Sequence, residues 1–174
     1  KRTSEPSGAS VLPGTYKVVI SFMDKKDSTT VKVLDDPRVK RNATTLKSQY
    51  DVYKQLEKEI AVATDAMDAL KKSNKLMADL MKDLKDRKGD EYDSLKKTTK
   101  ATQKLVKELI DELVGEQIKK QGIVRSPKAN IMSFYYEPMS YLGGSLKPVG
   151  ATEKRLMEQA TAKLKPWLEK VNAF

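Results

Sequence analysis

Apolar and polar residues alternate along Gly14-Thr15-Tyr16-Lys17-Val18-Val19-Ile20-Ser21-Phe22, whereas beyond residue 40 apolar residues recur every three or four positions. Alternation is the period of a strand, with Tyr16, Val18 and Ile20 on one face and Lys17, Val19 and Ser21 on the other. Met23-Asp24-Lys25-Lys26-Asp27-Ser28 is a polar loop of hairpin length, and Thr29–Leu34 reads as the returning strand with Val31 and Val33 on one side. An isolated two-stranded hairpin is marginal in water. The strands are therefore expected either to pack on helices or to join a sheet that begins upstream of residue 1, and the second fits a chain that is a fragment or a processed piece.

Pro37 lacks a backbone donor and ends strand pairing. Asn42 or Thr44 suits a helix cap. From there Leu46, Tyr50, Tyr53, Leu56, Ile60, Ala63, Met67, Leu70, Met77, Leu80 and Leu84 keep helical spacing, with Ser73-Asn74 as the weakest point. One helix of about 45 residues, about 65 Å long, is predicted up to Arg87. Lys88-Gly89-Asp90 is the turn. A second helix over residues 91–120 turns Tyr92, Leu95, Thr99, Thr102, Val106, Leu109 and Leu113 inward, and the short connection folds it back along the first. Residues 121–127 break the pattern. A shorter helix carries Ile131, Phe134, Tyr135, Met139 and Leu142, with Pro138 bending it or ending its first half. The last starts near Thr152, buries Leu156, Ala160, Leu164, Trp167, Leu168 and Val171, and is kinked at Pro166.

The predicted fold is mainly α: an antiparallel four-helix bundle with two long helices, preceded by a short β-hairpin. Residues 1–10, rich in Ser, Pro and Gly, form a flexible lead-in; 11–36 hold the hairpin; 37–42 are a linker; 43–174 are the bundle.

Composition narrows the chemistry. Among 174 residues there is no cysteine and no histidine. Disulfides, thiol nucleophiles, Cys/His zinc sites and imidazole acid–base catalysis are therefore excluded. The residues imply no cofactor. No run reaches the ~18 apolar residues of a membrane span, and no apolar targeting core opens the chain. The formal charge of +10 favours acidic partners. Lys96, Lys100, Lys104 and Lys107 fall on one helical stripe, a candidate track for phosphates. Single-strand binders add stacking aromatics, and here the tyrosines occupy inward stripes. A solvated helix face is the weightier reading.

Paired carboxylates are the remaining route to hydrolysis. Asp35 and Asp36 are adjacent in an extended segment, so their side chains diverge; they are expected to shape the turn before Pro37 and cap the incoming helix. Arg38 is expected to anchor this junction to a carboxylate of the first helix. Glu108, Asp111 and Glu112 sit among lysines on an ordinary solvated face. Phe134-Tyr135-Tyr136-Glu137-Pro138-Met139 is the densest aromatic patch, explained by a short helix packing across the two long ones. None of these makes a catalytic or metal site.

Three stretches carry a resemblance. Leu12-Pro13-Gly14-Thr15-Tyr16-Lys17-Val18 resembles the opening strand of Ig-like modules. Val33-Leu34-Asp35-Asp36-Pro37-Arg38-Val39 resembles the phrase that closes such a module, and Leu46-Lys47-Ser48-Gln49-Tyr50-Asp51 resembles the start of a helical tail. Together they are similar to the C-terminal region of large bacterial Asp-box, sortilin-like β-propeller proteins described as glycosyl-hydrolase-like. The resemblance implies that the hairpin is part of a truncated Ig-like module. It also implies an extracytoplasmic location and a partner in the N-terminal propeller of the same polypeptide. No Asp-box pattern occurs here, so no catalytic residue carries over: the fragment is expected to be a non-catalytic accessory or interaction region, and hydrolase activity is left open for the parent. A homodimer through a long apolar stripe is a further expectation. The alternative is a basic helical module that binds nucleic acid or an anionic surface.

Overall fold

The computed structural model describes residues 11–38, 42–116, 129–143, 145 and 147–174. Two antiparallel strands, β1 (Gly14–Phe22) and β2 (Lys25–Val33), precede four helices, α1 (Ala43–Asp83), α2 (Asp90–Val114), α3 (Ile131–Gly143) and α4 (Ala151–Asn172). The mainly helical fold with a leading hairpin is as predicted. The lead-in 1–10, linker residues 39–41 and the break at 121–127 lie outside the described residues.

The hairpin turn is tighter than its polarity implies. Phe22 pairs with Lys25, so only Met23 and Asp24 make the turn, and Lys25–Ser28 belong to β2 rather than to a loop. Polarity is a poor guide here because a strand exposed on both faces has no burial to satisfy. The register places Tyr16 opposite Val31, Val18 opposite Thr29 and Ile20 opposite Asp27. Cross-strand partners share a face. One face therefore carries Tyr16, Val18, Ile20, Phe22, Val31 and Val33, with Thr29, Asp27 and Lys25 toward the turn, and the other carries Lys17, Lys26 and Lys32 with Val19. Neither strand packs against a helix.

Asn42 caps α1: its Oδ1 accepts from the Thr44 N–H at 2.7 Å. The helix then runs without a break through Ser73-Asn74 for 41 residues, about 60 Å. It stops at Asp83, short of Arg87, with Leu84 buried as its cap. Gln49, Leu56, Ala63, Leu70, Met77 and Leu84 recur every seven residues on its inner seam, as in coiled coils. α2 opens on Asp90, Glu91 and Asp93, which oppose the positive end of the helix dipole. It ends at Val114, earlier than predicted, because Gly115 adopts φ +89° and its N–H closes on Asp111 O at 2.9 Å. A Cβ at Gly115 would lie 2.9 Å from Asn130 Nδ2. Gly115→Ala is thus expected to lower stability by about 1–2 kcal/mol, measured by urea unfolding.

α3 continues through Pro138, which is buried, to Gly143. α4 starts one residue before Thr152: Gly150 precedes its first turn, and Glu153 Oε2 accepts the Gly150 N–H at 2.9 Å. Thr152 therefore lies inside the first turn and is not the cap.

Side-chain bonds give the helix directions. Gln49 Nε2 donates to Ser145 O, Tyr53 Oη to Met139 O and Tyr135 Oη to Glu59, so α3 runs antiparallel to α1. Val149 N bonds Ser48 Oγ, and Thr161 Oγ1 bonds Glu59, so α4 runs parallel to α1. α2 returns along the distal half of α1 and α3 covers the proximal half, with α4 filling the third side. Trp167 and Tyr135 are fully buried where these elements meet, in one core cluster that also holds the small side chains of Ala63 and Ala160.

Candidate functional site

Two surfaces stand out, and both involve the hairpin. The first is its apolar face. Ile20 is 68% exposed and Phe22 70%, with Val18 and Val31 also in water. Large apolar residues clustered on one face of a short sheet are the composition of a core surface. The opposite face, with its lysines, is the composition of a solvent surface.

The second is an open groove of about 970 Å³ between the root of the hairpin and the helices. Val11–Pro13 and Val33–Asp36 form one wall. Leu46 to Asp65 of α1 form the floor, and Met139 to Ser145 close the end. Tyr50, Tyr53, Leu56 and Ile60 give the floor its apolar character. Leu56 is buried and Ile60 half-buried, so the groove exposes the flank of the α1 seam and leaves the core closed. Tyr53 Oη donates to Met139 O at 3.4 Å, and burial pushes its phenol pKa up.

The junction residues bond to one another. Asp36 Oδ1 accepts from the Arg38 N–H and Nε, and its Oδ2 from Nη2 at 2.8 Å. Asp35 Oδ1 accepts the Asp36 N–H at 3.0 Å. These bonds hold the turn around Pro37. The cap of α1 is Asn42, however, and the ion-pair partner of Arg38 is its neighbour Asp36 rather than helix one. Short-range geometry wins because the fork of Arg38 reaches a carboxylate two residues back without ordering a longer path.

The lysine stripe of α2 is largely spent on its own helix. Lys96 donates to Arg87 O at 2.6 Å and pairs with Asp93. Lys104 pairs with Glu108 at 3.8 Å, and Lys107 with Asp111. Lys100 remains without a partner among the described residues. Glu112 takes Lys170 of α4 at 2.8 Å, so one member of the acidic cluster ties α2 to α4. Of the aromatics expected inside, Tyr135 and Trp167 are buried and Tyr50 and Tyr53 half-buried, while Tyr92 is 38% exposed.

One polar centre was not anticipated. Glu59 accepts from Tyr135 Oη at 2.7 Å, Thr161 Oγ1 at 2.9 Å and Gln55 Nε2 at 3.0 Å. It joins α1, α3 and α4, with every partner satisfied, and it lies off the groove. Among the described residues no group of three or more acidic side chains is placed to hold a metal, and no helix is long and apolar enough to cross a membrane.

No protein-family model, curated protein or solved structure matches the chain.

Proposed function

We propose that this chain is a structural and interaction region with no chemistry of its own, the helical bundle presenting the β-hairpin to further β structure. The observation that carries the reading is the amphipathic hairpin: a nine-residue strand pair whose apolar face, Ile20 and Phe22 above all, is in water and touches no helix. Burying apolar surface contributes roughly 25 cal/mol per Å², and the outer edges of a two-stranded sheet accept further strands. The phrases at residues 12–18 and 33–39 favour an Ig-like module of an exported Asp-box propeller protein as the parent. In that setting the hairpin is completed by the same polypeptide, and the bundle braces it against the propeller.

The test is an Ile20→Glu/Phe22→Glu double variant. The helical melting temperature should stay within about 2 °C of wild type, since exposed substitutions away from packing are near neutral. Binding of a hydrophobic dye should fall severalfold. A large drop in helical stability would show that the face is already part of the fold. Hydrolysis of aryl-glycosides or sialosides by the purified chain would overturn the non-catalytic assignment.

A further inference from the structure

The groove at the hairpin root carries an inference that does not depend on what covers the hairpin face. We propose that it seats an extended peptide segment in which lysine or arginine alternates with aliphatic side chains. The aliphatic groups would lie against Leu34, Tyr50, Ile60 and Met139, and the cations against Asp35 and Asp65.

Shape is the first argument. The floor follows α1 from Leu46 to Asp65, about 28 Å at 1.5 Å per residue. A strand rises about 3.3 Å per residue, so some eight extended residues span it. A compact small molecule would occupy a fraction of such a trough.

Charge is the second. Of 174 residues 34 are Lys or Arg, yet none of those among the described residues lines the groove. Its charged residues are Asp35, Asp36, Glu57 and Asp65. Asp36 is held by Arg38 and Glu57 by Lys54. Asp35 accepts only a backbone N–H, and Asp65 has no partner among the described residues. Several other acids of α1 pair with a lysine one turn away: Asp51 with Lys47, Asp68 with Lys71, Asp79 with Lys82. The positions one turn from Asp65 are Ala61, Val62, Asp68 and Ala69, so its own helix supplies no cation. One uncompensated carboxylate thus stands on the hairpin wall and one on the helix floor, with apolar surface between. Lysine's apolar stem and charged tip match that order, and the complementary field would set the specificity.

The probe is a fluorescein-labelled octapeptide of alternating leucine and lysine, titrated against the full chain at low salt by fluorescence anisotropy, with the leucine–glutamate octapeptide as control. Saturable binding of the lysine peptide is expected, at least about tenfold tighter than the glutamate peptide. Asp65→Lys should weaken it by about tenfold, and Leu34→Asp, at a site 72% exposed and so without risk to folding, by a comparable factor. Ile20→Glu/Phe22→Glu should leave the affinity unchanged. Equal binding of the two peptides, no saturation, affinity indifferent to Asp65→Lys and Leu34→Asp, or loss of binding with the hairpin-face variant would each overturn the proposal. Concentration-dependent self-association abolished by Asp65→Lys would also overturn it, in favour of a second copy as occupant.

Discussion

Trp167→Ala is expected to lower the stability of the bundle by about 3–5 kcal/mol, a large share of what an ordinary domain possesses. The indole is fully buried, and it lies where α4 meets α2. Its Nε1–H donates to Leu109 O at 2.8 Å, so the ring fills volume and also satisfies a polar group deep in the seam. Truncation would leave a cavity lined by residues of the same core, among them Leu109, Leu113 and Leu164, and helices tied at both ends cannot fully collapse into it. Trp167→Phe separates the two contributions: most of the volume stays, the hydrogen bond goes, and the expected loss is about 1–2 kcal/mol. Urea unfolding followed by far-ultraviolet circular dichroism measures both. Losses of under about 1 kcal/mol for the alanine variant would mean that α4 does not seat Trp167 between its neighbours.

The seven-residue seam of α1 was legible because apolar spacing over 41 residues leaves little choice of face. The same periodicity misled at the distal tip. Leu80 and Tyr92 keep the inward phase of their helices, yet each is 38% exposed. α4, running parallel to α1 from Ser48 past Glu59, is too short to reach that end. Only α1 and α2 meet there among the described residues, and two helices cover one side of a seam rather than all of it. Periodicity reports which face points inward, and the length of the neighbours decides whether anything is there to meet it. The end of α2 at Gly115 and the cap of α4 by Glu153 turn on single backbone conformations, which apolar spacing does not record.

The groove and the polar centre were illegible for another reason. Their members are scattered along the chain: Glu59 meets partners 76 and 102 residues away. In sequence it is one more helix acid beside Lys58, and its lack of a lysine one turn away does not say which distant groups it meets. Asp65 shares that local signal, the absence of a lysine one turn away, and the signal acquires meaning only once the surrounding wall is known. The lysine stripe shows the converse. A periodic row of cations looks like a ligand track until carboxylates at three- and four-residue spacing, already present in the sequence, are allowed to pair with it.

The second large effect is expected at Glu59. Glu59→Leu should cost about 1.5–3 kcal/mol, because Tyr135 Oη and Thr161 Oγ1 both lose a charged acceptor and the phenol is buried with no alternative partner shown. The pair also has a pH signature. Burial raises the Tyr135 phenol above its ordinary value of 10.0, and the hydrogen bond to the Glu59 carboxylate adds to the effect. The neutral phenol is the form the fold favours. In the unfolded chain Tyr135 ionises near pH 10, while in the folded chain it resists. Above pH 10 the unfolded state therefore binds fewer protons than the native one, and stability falls as pH rises; below pH 10 this contribution is complete. Tyr53 titrates in the same sense. Tyr135→Phe should lose about 1 kcal/mol at neutral pH and should destabilise less steeply than wild type between pH 10 and pH 11.5, a window set by the unfolded phenol. Urea midpoints measured across that window decide the matter: parallel curves for wild type and Tyr135→Phe would mean that Tyr135 is free to ionise, and that Glu59 does not bind its hydroxyl across the α1–α3 seam.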